Sequence, residues 1–461
     1  MGKITTTVVP DDAILSSLHP DCPDWQTLGP TTQDSAIRAA AEANKIAAQQ
    51  RHDQWSGGFN RRTFLKGGMG VGVAVLGAQL VTTRVAYAET GAATNGTLVV
   101  LFLRGGMDGL SMLVPVTDTN LIKNRPNIAV QGSNLIDMGR GFGLHPAMAP
   151  LKFLKDAGKL AAVPAVSTPD LSRSHFQAQD CLERGSTNSL TSGWLDRVLE
   201  VSGPGTTFRS VAVGGLLPRS LMGTSNSIAM NNLDSIKLDV GPDQVNQTTE
   251  ALSSLYTGFD HPISMQTVLA LEALATVASV RTAAAAEPSG VTYPDGNLGD
   301  ALESLAMLIK AKAGVKVACV DVGGWDTHTG MGNVDSGDMK THLGDLATAL
   351  AAFAKDIAAE LDSTTVVTMS EFGRRVEQNA SGGTDHGHGG AVLVIGGGVQ
   401  SGVHGVWNGL DDKYLDQGDV PGLNDYRDIL TEVVTKRLDI SVGSMASVFP
   451  DWNASPIGVM A

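Results

Sequence analysis

Five short apolar runs constrain this chain more than any other feature: TLVVLFL (97–103), LAAVPAV (160–166), VKVACVDV (315–322), TTVVTM (364–369) and AVLVIGG (391–397). Each is rich in Val or other β-branched residues and continuous rather than alternating, the pattern of strands covered on both faces. Helix-length amphipathic segments lie between them, such as MQTVLALEALATVASVRTA, LGDALESLAMLIKAKAG and HLGDLATALAAFAKDIAAEL. Strand and helix alternate, which predicts an α/β fold with a mostly parallel sheet. Residues 220–262 are polar and read as an irregular insertion or cap within one domain, 89–461.

The first 88 residues are set apart from that fold. NRRTFLKGG pairs Arg61 with Arg62, a weakly apolar glycine-rich stretch follows, and RVAYAET places small residues at Ala86 and Ala88. Charged region, apolar region and A-x-A site in that order predict an export signal cleaved after Ala88. The arginine pair predicts the twin-arginine translocase as partner and a periplasmic or secreted mature protein. The apolar run is shorter than the roughly 20 residues of a spanning helix, so no stable membrane anchor is expected in the mature form. That route carries folded proteins, often with a cofactor already inserted.

Cleavage there leaves 373 of the 461 residues, enough for one large core. Removing the leader's 8 basic and 7 acidic residues from 33 and 47 leaves 25 and 40, a formal charge of −15. Such a surface argues against nucleic acid or an anionic membrane as a partner. Cys181 and Cys319 are the only mature cysteines and form no C-x-x-C pair, which argues against a disulfide framework.

In open α/β sheets ligands bind at the carboxyl ends of the strands. Here the strands run into RGGMDG, STPDLSRSHF, GGWDTH and SEFGRR. GTDHGHGG (383–390) instead precedes its strand and is expected to loop back over the same edge. Five unusual stretches then meet on one rim.

Asp326 and His328 stand at i and i+2, as do His386 and His388, a spacing that puts both side chains on one side of an extended segment. Asp108, Glu371 and Asp385 add carboxylates. Imidazole and carboxylate without thiolate suit a divalent metal, Zn first, with Mn or Fe(II) as alternatives. In LSRSHF, Ser172 or Ser174 could act as a nucleophile at a helix N-terminus, where exposed N–H groups stabilise anions. A Ser in that position is also the commonest helix cap, and Ser174 is expected to fill that role. Arg104, Arg173 and Arg374 could hold an anionic substrate or form structural ion pairs. No phosphate loop and no G-x-S-x-G elbow is present, and IGGGVQSG lacks dinucleotide spacing.

Together LFLRGGMDGLSMLVP, FGLHPAMAPL, SRSHFQAQD, GGWDTH, SEFGRRVEQNASGGTDHGHGG and NDYRDIL resemble the exported bacterial proteins of domain-of-unknown-function family 1501. That family is grouped with the alkaline phosphatase and sulfatase superfamily. The resemblance implies a three-layer α/β/α sandwich with metals at the strand ends and a helix-opening nucleophile. Asp108 would match the first-strand Asp, although it comes a few positions late. Asp326 and His328 would match the Asp/His pair, and His386 or His388 the late histidine. Glu371 stands where an Asp-His pair is usual. The implied function is metal-dependent hydrolysis of a small anionic phosphate or sulfate ester. The alternative is a catalytically silent binding protein that keeps the sandwich.

Overall fold

The computed structural model describes residues 80–81, 96–132, 134–256, 262–450 and 452–461. Arg61, Arg62 and Ala88 lie outside the described residues, and of the export signal they define only Leu80 and Val81 are described. The strands in chain order are β1 (Leu80–Val81), β2 (Thr97–Leu103), β3 (Leu113–Pro115), β4 (Ile136–Gly139), β5 (Phe142–Leu144), β6 (Leu160–Ser167) and β7 (Ser210–Val213). They continue with β8 (Ser227–Met230), β9 (Val317–Val322), β10 (Thr364–Met369), β11 (Gly390–Gly396), β12 (Gly402–Val403) and β13 (Asn424–Asp425). Helices of eight residues or more are α1 (His175–Arg184), α2 (Trp194–Val201), α3 (Val245–Tyr256), α4 (Pro262–Ala286), α5 (Asn297–Lys310), α6 (Asp338–Asp356) and α7 (Tyr426–Arg437).

The main sheet has the order β1-β8-β7-β9-β2-β10-β11-β6-β12, with β13 also paired to β6. From β8 to β10 every neighbour is parallel. Strand β11 is antiparallel to both β10 and β6. All five strands expected from the sequence are present. Within 220–262, expected to be irregular, Ser227–Met230 joins the sheet and Val245–Tyr256 is helical. Strands β3, β5 and β4 form a separate small sheet.

Side chains alternate between two cores along each central strand. Val99, Leu101 and Leu103 of β2 face one layer, with helices α5 and α6, while Leu98, Val100 and Phe102 face the other, with α2 and α7. The same split separates Leu393 and Ile395 from Val392 and Val394 on β11. Each strand is therefore apolar on both faces, and the fold is the three-layer α/β/α sandwich. Truncating a residue such as Leu101 to Ala would cost about 2–5 kcal/mol. Cys319 is one of these buried hydrophobes, and burial pushes its thiol up.

Among the described residues, 96–239 with 272–461 form one compact unit, and those of 240–271 belong to a second. The sandwich belongs to the first. Helix α4 is long and apolar enough to cross a membrane by length and composition. From Glu272 onward it belongs to the sandwich unit, where Ala273, Val277 and Val280 are buried in the core.

Candidate metal centre

Strands β6, β2, β9 and β10 all end on one rim, and each is followed by one of the polar stretches. Because β11 runs antiparallel, its N-terminal end reaches that same rim without a return loop. The reversal of one strand, rather than a loop over the edge, delivers residues 383–389 to the site. Glycine makes the close approach practicable. At Gly105, φ is +125° and a Cβ would lie 2.5 Å from the Asp326 nitrogen. At Gly387 a Cβ would lie 2.5 Å from the backbone carbon of Arg374. Any larger residue would push these segments apart.

Four side chains converge. His386 Nε2 lies 2.9 Å from His328 Nε2 and 3.3 Å from Asp326 Oδ1. His328 Nε2 lies 3.2 Å from Asp326 Oδ1, and His175 Nε2 lies 3.5 Å from Asp326 Oδ2. His175, Asp326 and His386 each offer one ligand atom within 4.8 Å of the others. His175 opens α1, His386 bridges to Arg374, and Asp326 with His328 follows β9.

The second nitrogen of each ring fixes its tautomer. His175 Nδ1 lies 2.8 Å from Glu371 Oε1, His328 Nδ1 lies 3.1 Å from Asp385 Oδ1, and His386 Nδ1 lies 2.9 Å from the Arg173 carbonyl. Carbonyls and ionised carboxylates only accept, so each Nδ1 donates, and in a neutral ring the Nε2 then keeps its lone pair. Three Nε2 atoms face Asp326. His175 Nε2 is buried with no hydrogen-bond partner. Two imidazole lone pairs 2.9 Å apart repel unless a proton or cation lies between them. Burial and the nearby Arg374 guanidinium push His386 below the ordinary histidine value despite the Arg173 carbonyl, which disfavours a proton there.

A divalent cation fits. Zinc–nitrogen bonds of about 2.0–2.1 Å in a tetrahedral site separate neighbouring ligand atoms by roughly 3.3 Å. Four contacts of the cluster, one of them through Asp326 Oδ2 rather than Oδ1, run from 2.9 to 3.5 Å, and His175, Asp326 and His386 are close enough throughout to share one ion. Metal-bound histidines also characteristically donate their other N–H to a carboxylate or carbonyl, as all three do here. The Asp326 side chain is half-exposed, which leaves one side open to solvent. Burial opposes its charge, but Arg374, donating at 2.6 Å, holds it below the usual carboxylate range.

The structure redistributes the other expected residues. Asp108 is no ligand: it is fully buried, its two oxygens take Arg125 at 2.6 and 2.8 Å, and Oδ2 also caps Ser111 N at 2.9 Å. That pairing outweighs burial and keeps Asp108 ionised. Glu371 stands behind His175 rather than among the ligands, with Oε1 accepting from His175, Gln179 and Gly105 N and Oε2 from Ser370. Burial pushes its carboxyl up, but the Gln179 and His175 hydrogen bonds prevail and lower it. Asp385 orients His328 and takes Asn379 at 3.1 Å.

His388 leaves the cluster. Its Nε2 donates to the Thr168 carbonyl at 3.1 Å, tying this segment to the end of β6. The backbone is paired on both sides here, with Gly373 N on the His388 carbonyl and Gly389 N on the Val420 carbonyl, so the two histidines are steered to different neighbours.

The three arginines are all engaged. Arg104 pairs with Glu183 at 3.0 Å and Asp321 at 2.9 Å, and Arg173 with buried Asp419. Buried Arg374 donates to the carbonyls of Gly105, Gly106, Trp325 and Thr384 as well as to Asp326. Ser172 Oγ donates to Asp170 Oδ2 at 2.6 Å and accepts from Ser174 N at 3.1 Å. Ser174 holds the cap position of α1, but its hydroxyl makes no capping bond. The expected side-chain cap from Ser174 is therefore not formed, and the Ser172 hydroxyl holds the turn instead.

The sequence reading missed His175 and Gln179. They stand at i and i+4, one above the other on the first turn of α1, and both reach Glu371. A helix-opening H-x-x-x-Q after a strand was the available signal.

Fold and cluster together define an α/β/α sandwich protein with a histidine–carboxylate centre at the carboxyl rim of its sheet. The chain belongs to the family described as "Protein of unknown function (DUF1501)", which matches residues 95–439. No curated protein matches the chain. Among solved structures it is similar to the PsFucS1 sulfatase from Pseudoalteromonas sp., at 12% identity over 86% of this chain and 72% of that one, TM-score 0.32. It is also similar to an alkaline phosphatase superfamily protein from Vibrio parahaemolyticus, at 12% identity over 76% and 72%, TM-score 0.30. The alkaline phosphatase of the Antarctic bacterium TAB5 matches at 8% identity over 68% and 95%, TM-score 0.26.

Proposed function

We propose that the protein is an exported, metal-dependent hydrolase of phosphate or sulfate esters. The observation that carries this reading is the set of three imidazole Nε2 atoms within 3.2–3.5 Å of Asp326, each ring held at Nδ1 by a separate acceptor. His175, Asp326, His328 and His386 would hold one divalent ion, Zn first, with Mn or Fe(II) as alternatives. Bound there, the metal would supply positive charge that polarises an ester oxygen and favours deprotonation of a nearby hydroxyl.

This chain's own residues do the rest. Glu371, Asp385 and the Arg173 carbonyl keep the Nδ1 protons in place and the rings oriented. Phe372 walls the site, with its ring 4.8 Å from His386 and 4.9 Å from His175. Ser172 is the proposed nucleophile, because its hydroxyl already donates to Asp170, a carboxylate able to take the proton. Ser174 is its rival. Arg374 fixes Asp326 rather than the substrate. The protein would reach the periplasm or the exterior through the twin-arginine translocase, with the mature chain beginning near Glu89.

One observation favours the silent binding protein instead. Arg104, Arg173 and Arg374 are all ion-paired, so no arginine of these loops is left for an anionic substrate. Turnover of a panel of phosphate mono- and diesters and sulfate esters by metal-loaded protein separates the two. Activity lost in Ser172→Ala with metal retained supports the hydrolase. Full occupancy without turnover of any ester supports the silent protein.

A further inference from the structure

Helix α1 carries His175, Gln179 and Glu183 at intervals of four residues, a spacing that stacks them along one face. Side chains from just past the ends of β2 and β10 stand between them. Glu371, whose side chain is fully buried, accepts from His175 Nδ1 at 2.8 Å and from Gln179 Nε2 at 3.0 Å. Arg104 Nη1 donates to Gln179 Oε1 at 3.3 Å and to Glu183 Oε1 at 3.0 Å, and its Nη2 pairs with Asp321 at 2.9 Å. Glu183 is anchored in turn by the Ser220 N–H at 2.9 Å. Residues of helix and sheet rim thus alternate in one polar ladder, Glu183–Arg104–Gln179–Glu371–His175, which ends at the metal-binding cluster.

Chemistry fixes the direction of each bond in the ladder. A guanidinium only donates, so the end of the Gln179 amide on Arg104 is its oxygen, and the end on Glu371 is its nitrogen. Turned the other way, the amide would set N–H against guanidinium and carbonyl against carboxylate, and both bonds would be lost. No charged side chain replaces it: an ionised glutamate there could accept from Arg104 but not donate to Glu371, and a lysine could donate but not accept. We propose that Gln179, aimed by Arg104, is a positioning residue that holds the Glu371 carboxylate against His175 Nδ1 and so presents His175 Nε2 to the centre. For its consequence, though not for its geometry, this rests on the metal-dependent reading of that centre. Arg104 then acts two side chains away from His175, through Gln179 and Glu371, rather than on an anionic substrate.

The first test needs no metal. In metal-free, nitrogen-15-labelled full-length protein, His175 Nδ1–H should give an imidazole N–H resonance protected from solvent exchange, assigned by its absence from His175→Gln. Gln179→Met, which keeps length and helix preference but neither hydrogen bond, should broaden that resonance or lose it to exchange. Its absence from wild type, or its persistence unchanged in Gln179→Met, overturns the proposal. The second test is a double-mutant cycle on zinc affinity, pairing Gln179→Met with Arg104→Lys, which keeps the positive charge beside Glu183. Gln179→Met should weaken zinc binding about tenfold, the low end for outer supporting hydrogen bonds. Arg104→Lys should weaken it in the wild-type background and add nothing beside Gln179→Met. Unchanged affinity in both single variants, or losses that simply add, overturns the relay while leaving the metal centre standing. A wild-type chain that binds no zinc removes the metal reading instead, and the resonance then decides: its loss in Gln179→Met sustains the positioning role, and its persistence refutes it.

Discussion

Asp326-x-His328 and His386-x-His388 have identical spacing, both lie at the carboxyl rim, and only one pair stays together. Asp326 and His328 meet at 3.2 Å, whereas His386 joins them and His388 turns away to the Thr168 carbonyl. The difference lies in the backbone. The 386–389 segment is bonded by its neighbours on both flanks, to Gly373 and to Val420, and residue spacing alone does not reveal that. An i, i+2 pair thus marks two candidates, and the surrounding chain selects which of them become ligands. Asp108 and Glu371 repeat the lesson with carboxylates. Both are buried after a strand, but Asp108 is neutralised by Arg125 and Glu371 faces His175.

The sharpest break of this comparison is between the two histidines of one motif. His386→Ala should lose zinc affinity by more than the roughly 10–100-fold that a missing supporting hydrogen bond costs. His388→Ala should keep the metal and lose only about 1 kcal/mol of stability, the worth of one hydrogen bond. Competition with a zinc chelator and chemical denaturation measure both. Equal metal loss in the two variants would show that His388 is a ligand after all.

The carboxylates give the next contrast. Asp108→Asn strands the buried Arg125 guanidinium and should cost about 3–5 kcal/mol of stability, without a direct effect on the site in protein that still folds. Glu371→Gln should do the opposite, weakening zinc binding by about 10–100-fold as His175 loses its acceptor. Metal loss at the Asp108 variant, measured below its unfolding temperature, would return that residue to the ligand set.

A smaller effect follows from pH. His386 is held below its unfolded value of about 6.5, so its neutral form stabilises the fold above that pH. That contribution is lost as pH falls from 6.5 through the depressed folded value. Metal-free protein should therefore keep a steady Tm from pH 8 to 6.5 and decline below, less steeply in His386→Gln. Zinc affinity should fall over the same range, since metal ligands bind deprotonated. A decline of equal steepness in the variant would assign the transition elsewhere.

Most of the fold was legible because its strands announce themselves. The five central runs are apolar on both faces, and length plus β-branching separate them from helices. SVAV at 210–213 and SIAM at 227–230 were missed because four residues flanked by polar loops carry too little pattern. The direction of β11 was also hidden, since nothing in AVLVIGG distinguishes an antiparallel strand from a parallel one. At the site, the five stretches named from the sequence meet on one rim, and Asp326, His328 and His386 come together there. Asp108, Glu371 and His388 stand outside that cluster, because their positions depend on partners 17 residues away or more, namely Arg125, His175 and Thr168. His175 went unnoticed beside two serines of more familiar chemistry.

Export is tested separately, by changing Arg61 and Arg62 together to Lys. The precursor should then remain in the cytoplasm, and the mature wild-type chain should begin near Glu89. Undiminished export of the double variant would remove the twin-arginine assignment.

The proposed centre is one divalent metal held by His175, Asp326, His328 and His386. Elemental analysis of natively purified protein, beside a His175→Ala variant of matched folding, is its strictest test. About one equivalent of metal, zinc first, is expected per wild-type chain, with its loss from the variant. A wild-type chain without stoichiometric metal, or a His175→Ala variant with undiminished occupancy, would contradict it.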